Sequence, residues 1–104
     1  MNVKKNTAPP KLDRQRIAEL RQLAHKLKPV IQVGQKGLSD AVIKELDGAL
    51  TYHELVKIKI AAGDREARSE IIQQAAKATA AEIVQSIGGT ATLYRHNPDK
   101  NSTN

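Results

Sequence analysis

Four consecutive residues, Gly34-Gln35-Lys36-Gly37, have the types and spacing best suited to binding chemistry in this chain. Glycine at both ends removes the Cβ atoms that would hold a partner off the backbone, and it permits a positive φ where the chain reverses. Gln35 and Lys36 put one polar and one cationic side chain at the tip. Such a loop can grip an anionic backbone. It is not a Walker A loop, which needs four residues between its glycines and then Lys-Ser/Thr. Nor does it carry the three-glycine dinucleotide fingerprint. Taken alone, a Gly-x-x-Gly is more often just a tight turn. Amides at the start of the next helix could bind an anion too, but Ser39 can occupy one and Asp40 adds a negative charge nearby. The loop itself, with Lys36, is the expected contact.

Cations gather upstream of it. At 100° per residue, Arg14, Arg21, His25 and Lys28 fall on one flank of a helix, beside its apolar stripe. That strip suits phosphates; the competing reading is a solvated flank whose long stems cover apolar surface. Lys57 and Lys59 alternate outward from a strand and form a second patch. The three histidines, His25, His53 and His96, show no HxxxH or HxH spacing, so no metal site is expected. His25 can donate to phosphate, whereas His53 reads as a strand-edge residue. Without cysteine there is no disulfide, thiolate metal site or Cys nucleophile. Asp64 and Glu66 flank Arg65 where a helix begins, and capping and the macrodipole account for them better than acid/base catalysis. Neither a cofactor nor an enzymatic activity is expected.

The elements that must position these groups follow from pattern. Residues 1–11 are polar, basic and carry Pro9-Pro10, which reads as a flexible arm. Asp13 is a plausible N-cap for a helix over 14–27, with Ile17, Leu20, Leu23, Ala24 and Leu27 as its buried stripe. Lys28-Pro29 ends it. Residues 30–33 are a short strand, and Ser39 caps a second helix whose apolar face is Val42, Ile43, Leu46, Ala49 and Leu50. Residues 53–60 form the clearest strand, with Val56, Ile58 and Ile60 on one face and Leu55, Lys57 and Lys59 on the other. Gly63-Asp64 turns the chain into a third helix over 65–80, with Ile71, Ile72, Ala75 and Ala76 inward. Residues 82–87 and 90–95 are strands joined at Gly88-Gly89, a hairpin signal. One ordered domain is expected over 12–96, with a flexible tail over 97–104.

The order α-β-α-β-α-β-β implies parallel pairing with right-handed crossovers, plus one antiparallel strand from the closing hairpin. The fold class is therefore an α/β two-layer sandwich with a mixed four-stranded sheet, one face under helices and the other showing lysines to water.

Composition narrows the partner. The formal charge is +6 in 104 residues, and it is segregated: residues 1–37 hold nine Lys/Arg against two acids, and residues 38–104 eight against nine. A localised basic field attracts polyanions such as RNA, DNA or an acidic membrane surface. With no Phe or Trp, and only Tyr52 and Tyr94, the chain cannot build the aromatic platform on which single-stranded bases usually stack. Recognition should rest on phosphates, sugars and shape. There is no run of 18 apolar residues and no apolar h-region near Met1, so neither a membrane span nor a signal peptide is read, and a cytoplasmic location is expected.

Several spaced motifs together resemble a known family. Leu23-Ala24-His25, Leu27-Lys28-Pro29-Val30, Gly34-Gln35-Lys36-Gly37-Leu38, His53-Glu54-Leu55-Val56-Lys57-Ile58-Lys59, Asp64-Arg65-Glu66 and Leu93-Tyr94-Arg95 look like a CRM domain (chloroplast RNA splicing and ribosome maturation). In length and single copy the chain is similar to the bacterial stand-alone, YhbY-like form. The resemblance runs from about Leu12 to Arg95. It implies a fold like the C-terminal domain of translation initiation factor 3, with the last strand antiparallel to the others. It also implies RNA binding through Gly34, Gln35, Lys36 and Gly37, comparable to the backbone-clamping loop of KH domains, with Arg14, Arg21, His25 and Lys28 as a basic flank and Lys57 and Lys59 as a further patch. The implied partner is 23S rRNA in the precursor of the large ribosomal subunit, bound by a monomer. A ribosome-associated modulator or protein-interaction module using the sheet face around Leu55 is the alternative. One departure stands out: Thr79-Ala80 replaces the family's frequent Thr-Gly, so the third helix is expected to end without a left-handed residue.

Overall fold

The sequence was folded as a computed structural model that describes residues 12–61 and 63–98. The arm over 1–11 and most of the expected tail, 99–104, lie outside the described residues.

Helix α1 (Arg14–Lys26) starts where the Asp13 carboxylate accepts the Arg16 amide at 2.8 Å. It stops one residue before Leu27-Lys28-Pro29 because Leu27 is already extended, with φ −82° and ψ 147°. Strand β1 (Ile31–Val33) follows, and its alternation buries Ile31 and Val33 while exposing Gln32. Helix α2 (Asp40–His53) is capped by Ser39, whose hydroxyl accepts the Val42 amide at 3.2 Å. Strand β2 (Leu55–Ile60) buries Val56, Ile58 and Ile60. Helix α3 (Arg65–Thr79) is capped by Asp64 through the Ala67 amide at 2.9 Å. Strands β3 (Glu82–Ile87) and β4 (Thr90–Tyr94) close the chain.

The sheet order is β1-β2-β4-β3. β1 and β2 are parallel, with Gln32 opposite Lys59 and Val33 opposite Ile60, while β4 is antiparallel to both β2 and β3. The last strand takes an inner position because Ala91, Thr92, Leu93 and Tyr94 are all buried, whereas β3 exposes most of its side chains and fits an edge. A bulge between Ile83 and Gln85 adjusts that edge.

Helices α2 and α3 cover one face. Leu46, Leu50, Ile72, Ala75 and Ala76 pack there on Ile31, Val33, Val56, Ile58, Ile60, Ala91 and Leu93. The mixed α/β architecture agrees with the expectation, but the second face is not left wholly to lysines. Leu20 of α1 packs with Val84 and Tyr94, and Leu12 and Leu55 join them. Leu55 and Tyr94 are register partners on the face opposite Val56, so α1 covers that end of the second face.

Three local expectations are corrected. His53 is the last residue of α2 and not part of a strand, because Glu54 makes the break: its φ of 66° turns the chain sharply while its amide still donates to Leu50 O at 2.9 Å. Leu23 is 49 % exposed and does not belong to the buried stripe of α1, which rests on Leu20 and Ala24. Ala80 does take the left-handed conformation, φ 57° and ψ 39°, where the sequence suggested another ending. Its amide reaches Lys77 O at 3.3 Å and the Ala81 amide reaches Ala76 O at 2.9 Å, which is a Schellman-type closure.

Arg95 locks these pieces together. Its guanidinium donates to Asp47 Oδ1 at 2.6 Å, Asp47 O at 2.9 Å, Thr51 Oγ1 at 2.7 Å and Thr79 O at 2.8 Å. One side chain thus ties the end of α2 to the end of α3. Asn97, expected to open the flexible tail, is held as well: its amide donates to Glu54 Oε2 at 2.7 Å and its side chain to Thr51 O at 2.6 Å.

Candidate nucleic-acid interface

Because β1, β2 and β3 run one way and β4 begins at the hairpin, three connections meet at one end of the sheet. These are Gly34–Gly37 after β1, the turn at Gly63-Asp64 that leads from β2 into the start of α3, and the hairpin at Gly88-Gly89. The ends are laced directly: the Ala61 amide donates to Val33 O at 2.8 Å and the Ile60 amide to Gly89 O at 2.7 Å.

Within this rim, the glycine loop is a hydrogen-bonded reverse turn in which the Gly37 amide donates to Gly34 O at 3.0 Å. Gln35 and Lys36 are exposed at its tip. The two glycines differ in what they do for the protein. Gly37 has φ +80°, a region L-residues rarely adopt. Gly34 has no positive φ, and a Cβ built there would meet nothing within 4 Å. The fold does not require glycine at position 34.

The two strand lysines sit closer to this loop than the sequence suggested. Lys59 is exposed on β2 and its register partner Gln32 lies two residues before Gly34, about 7 Å along the strand. Lys57, half-buried opposite Thr92, extends the same row of the second face. Lys36, Lys59 and Lys57 therefore follow one another from the loop onto the part of the face that the Leu20 cluster leaves free.

The proposed α1 flank is divided by contrast. Arg14, Arg21 and His25 are exposed on α1, but Lys28 lies past the end of the helix and so leaves the strip that helical spacing had given it. Arg21 Nε donates to Val84 O at 3.1 Å, which fastens α1 to β3. β3 and β1 are opposite edges of the sheet, three strand spacings or ~14 Å apart, so Arg21 does not adjoin the glycine loop. Lys28 precedes β1 and the loop follows it. The loop does not share a patch with the α1 flank but with the strand lysines: one group is the rim with Lys36 and Lys59, the other α1 with Arg14 and His25.

Arg16 was missed as a structural cation. Its guanidinium lies 5.6 Å from the centroid of the Tyr94 ring and 3.2 Å from Glu19. Interaction with the Tyr94 hydroxyl, followed by that with Glu19, holds its pKa above the ordinary arginine value despite some desolvation. Arg65 and Arg68 stand at i, i+3 after the Asp64 cap at the start of α3, where the sequence suggested a role only for Asp64 and Glu66, as capping and macrodipole residues.

The sequence profile of the CRS1 / YhbY (CRM) domain matches residues 12–95, which spans every element of the fold. The chain belongs to the CRM domain family. It is similar to an RNA-binding protein of Haemophilus influenzae, 45 % identical over 73 % of this chain and 77 % of the relative. The probable RNA-binding protein PA4753 of Pseudomonas aeruginosa is 39 % identical over 80 % of each chain. The probable RNA-binding protein YqeI of Bacillus subtilis is 34 % identical over 77 % of this chain and 83 % of its own. In three dimensions this CRM domain matches the solution structure of SAV1595 from Staphylococcus aureus with a TM-score of 0.72 at 31 % identity, covering 80 % of this chain and 86 % of that one. Among the described residues no helix is long and apolar enough to cross a membrane, and no group of three or more His, Asp or Glu side chains is placed to hold a metal ion.

Proposed function

We propose that this CRM domain is a non-enzymatic RNA-binding protein that holds folded ribosomal RNA by its backbone at the Gly34–Gly37 loop. The observation that carries the reading is Gly34. Neither its φ nor its surroundings demand glycine, and its position in the exposed turn leaves bare backbone open to a docked partner. A sugar-phosphate chain fits, because Lys36 and Lys59 supply cations beside bare backbone and no aromatic platform is available for bases. The names of the H. influenzae, P. aeruginosa and B. subtilis relatives point to the same ligand class.

The finer reading is an assembly factor acting as a monomer, in the cytoplasm, on 23S rRNA in the large-subunit precursor. Arg14, His25, Lys28 and Lys57 extend the contact beyond the loop, and Arg21 combines a phosphate contact with its hold on Val84. The rival reading, a protein interface centred on Leu55, is disfavoured because Leu55 is spent in packing against Leu20 and Tyr94.

Cosedimentation tests this. The wild-type protein is expected to travel with large-subunit precursors and not with mature subunits. The double variant Gln35→Asp/Lys36→Asp, which alters only exposed tip residues, should be released while its circular dichroism stays unchanged. A variant that remains bound as tightly as the wild type removes the loop from the site.

A further inference from the structure

At the same end of the sheet as the glycine loop, but under the β3 edge, Arg65, Arg68, Ser69, Ile72, Ser86 and Gly88 line a recess of about 380 Å³. Residues 65, 68, 69 and 72 have the i, i+3, i+4, i+7 spacing of one helical face, here turned toward β3 and the hairpin. Glu66, Glu70 and Gln73 occupy a different face of α3 and line an adjoining depression with Asp64 and with Ser69, which stands between the two. The charges of the first two turns are thus sorted, with cations toward the hairpin and acids away from it.

Neither arginine is neutralised. Among the described residues Arg65 has no ion pair or hydrogen bond, and Arg68 spends Nη1 on Gly63 O at 3.0 Å without meeting a carboxylate. Arg68 Nε is enclosed without an acceptor among the described residues, whereas Arg68 Nη2, which makes no hydrogen bond there either, is open to a ligand. A guanidinium pair flanked by two serine hydroxyls matches the oxygens of a phosphate group, which arginine can take bidentately.

We infer that this recess binds a phosphate of the same RNA whose backbone the glycine loop holds, which makes the loop end of the sheet a two-point clamp. The inference rests on the reading of the loop given above. The loop leaves β1 and the recess lies under β3, opposite edges about 14 Å apart, so the two points grip separate nucleotides. Two fixed points set the orientation of a strand across the rim, which one loop does not.

The test uses the full chain, a labelled folded fragment of ribosomal RNA, and affinity measured across a salt series. Arg65→Gln is the informative variant because the Arg65 side chain makes no hydrogen bond or ion pair among the described residues, and an unchanged circular dichroism spectrum checks that the fold is kept; Arg68→Gln would also release Gly63. Arg65→Gln is expected to weaken binding about fivefold and to reduce the slope of log K against log salt by roughly 0.7 to 0.9, the loss of one phosphate contact. Arg65→Lys should recover most of that slope. Unchanged affinity and slope in Arg65→Gln, with Gln35→Asp/Lys36→Asp impaired, overturns the second point and leaves the loop reading standing. The reverse pattern removes the loop, and with it the clamp, and leaves a phosphate contact at the recess alone. A wild-type protein that does not bind RNA overturns both.

Discussion

Gly34 and Ala80 show how differently two small residues can bear on one fold. Ala80 sits in the left-handed region, φ 57°, where an L-residue costs about 1 kcal/mol relative to glycine. The chain tolerates this because the turn it makes satisfies the last carbonyls of α3, and because Arg95 holds Thr79 O at 2.8 Å from the other side. Glu54 is a second case, with φ 66°, over-determined by Leu50 O, the Arg95 amide and Asn97. Gly34 carries no such local demand. Gly34→Ala should therefore leave the unfolding free energy from chemical denaturation within about 0.5 kcal/mol of wild type while lowering RNA affinity by crowding the docked backbone. A large loss of stability would show that the fold itself needs this glycine. Residue-level chemistry was legible in sequence wherever a side chain acts on its neighbours: the caps Asp13, Ser39 and Asp64 were all read from spacing. The bond from Arg21 to Val84 O was not legible because it reaches β3, some sixty residues away, and Leu23 was misread as buried when about half of it is exposed.

At the scale of elements, the ends of α2 and α3 are joined through Arg95. Both helices pack on the same sheet face, and the last carbonyls of α3 lack an intrahelical partner. Arg95 satisfies one of these, Thr79 O, adds a contact to Asp47 O of α2, and pairs with Asp47, whose side chain is 57 % exposed. The exposed ion pair adds little; the carbonyl contacts carry more. Arg95→Ala is expected to destabilise the domain by about 2–3 kcal/mol, measured by urea denaturation, whereas Asp47→Asn, which keeps the Asp47 carbonyl, should cost less than about 1 kcal/mol. Equal losses would place the effect in the ion pair. Pattern predicted that every helix and strand exists, because period 3.6 and period 2 are properties of contiguous residues. It failed at the α2–β2 junction, where a positive φ at a glutamate let the helix run on through His53.

On the scale of the whole molecule, the candidate cations among the described residues lie on two surfaces. Arg14 and His25 are on α1, and Lys36 is at the rim, where Lys59 joins it from β2. RNA affinity should fall steeply between low and physiological salt, as expected for a contact made mostly to phosphates; a salt-independent affinity would argue for bases or an apolar interface. The sequence by itself determined the elements, their order, the helix caps, the glycine turn and the poverty of aromatics, since each of these is fixed by residues adjacent along the chain. Only the tertiary structure decided which cations share a surface. Strand order put β4 between β2 and β3, which sent Arg21 to the far edge, and parallel register set Lys59 beside Gln32. The packing of α1 covered the end of the face that holds Leu55. Proximity across a sheet is a product of pairing between distant segments, and no local spacing encodes it.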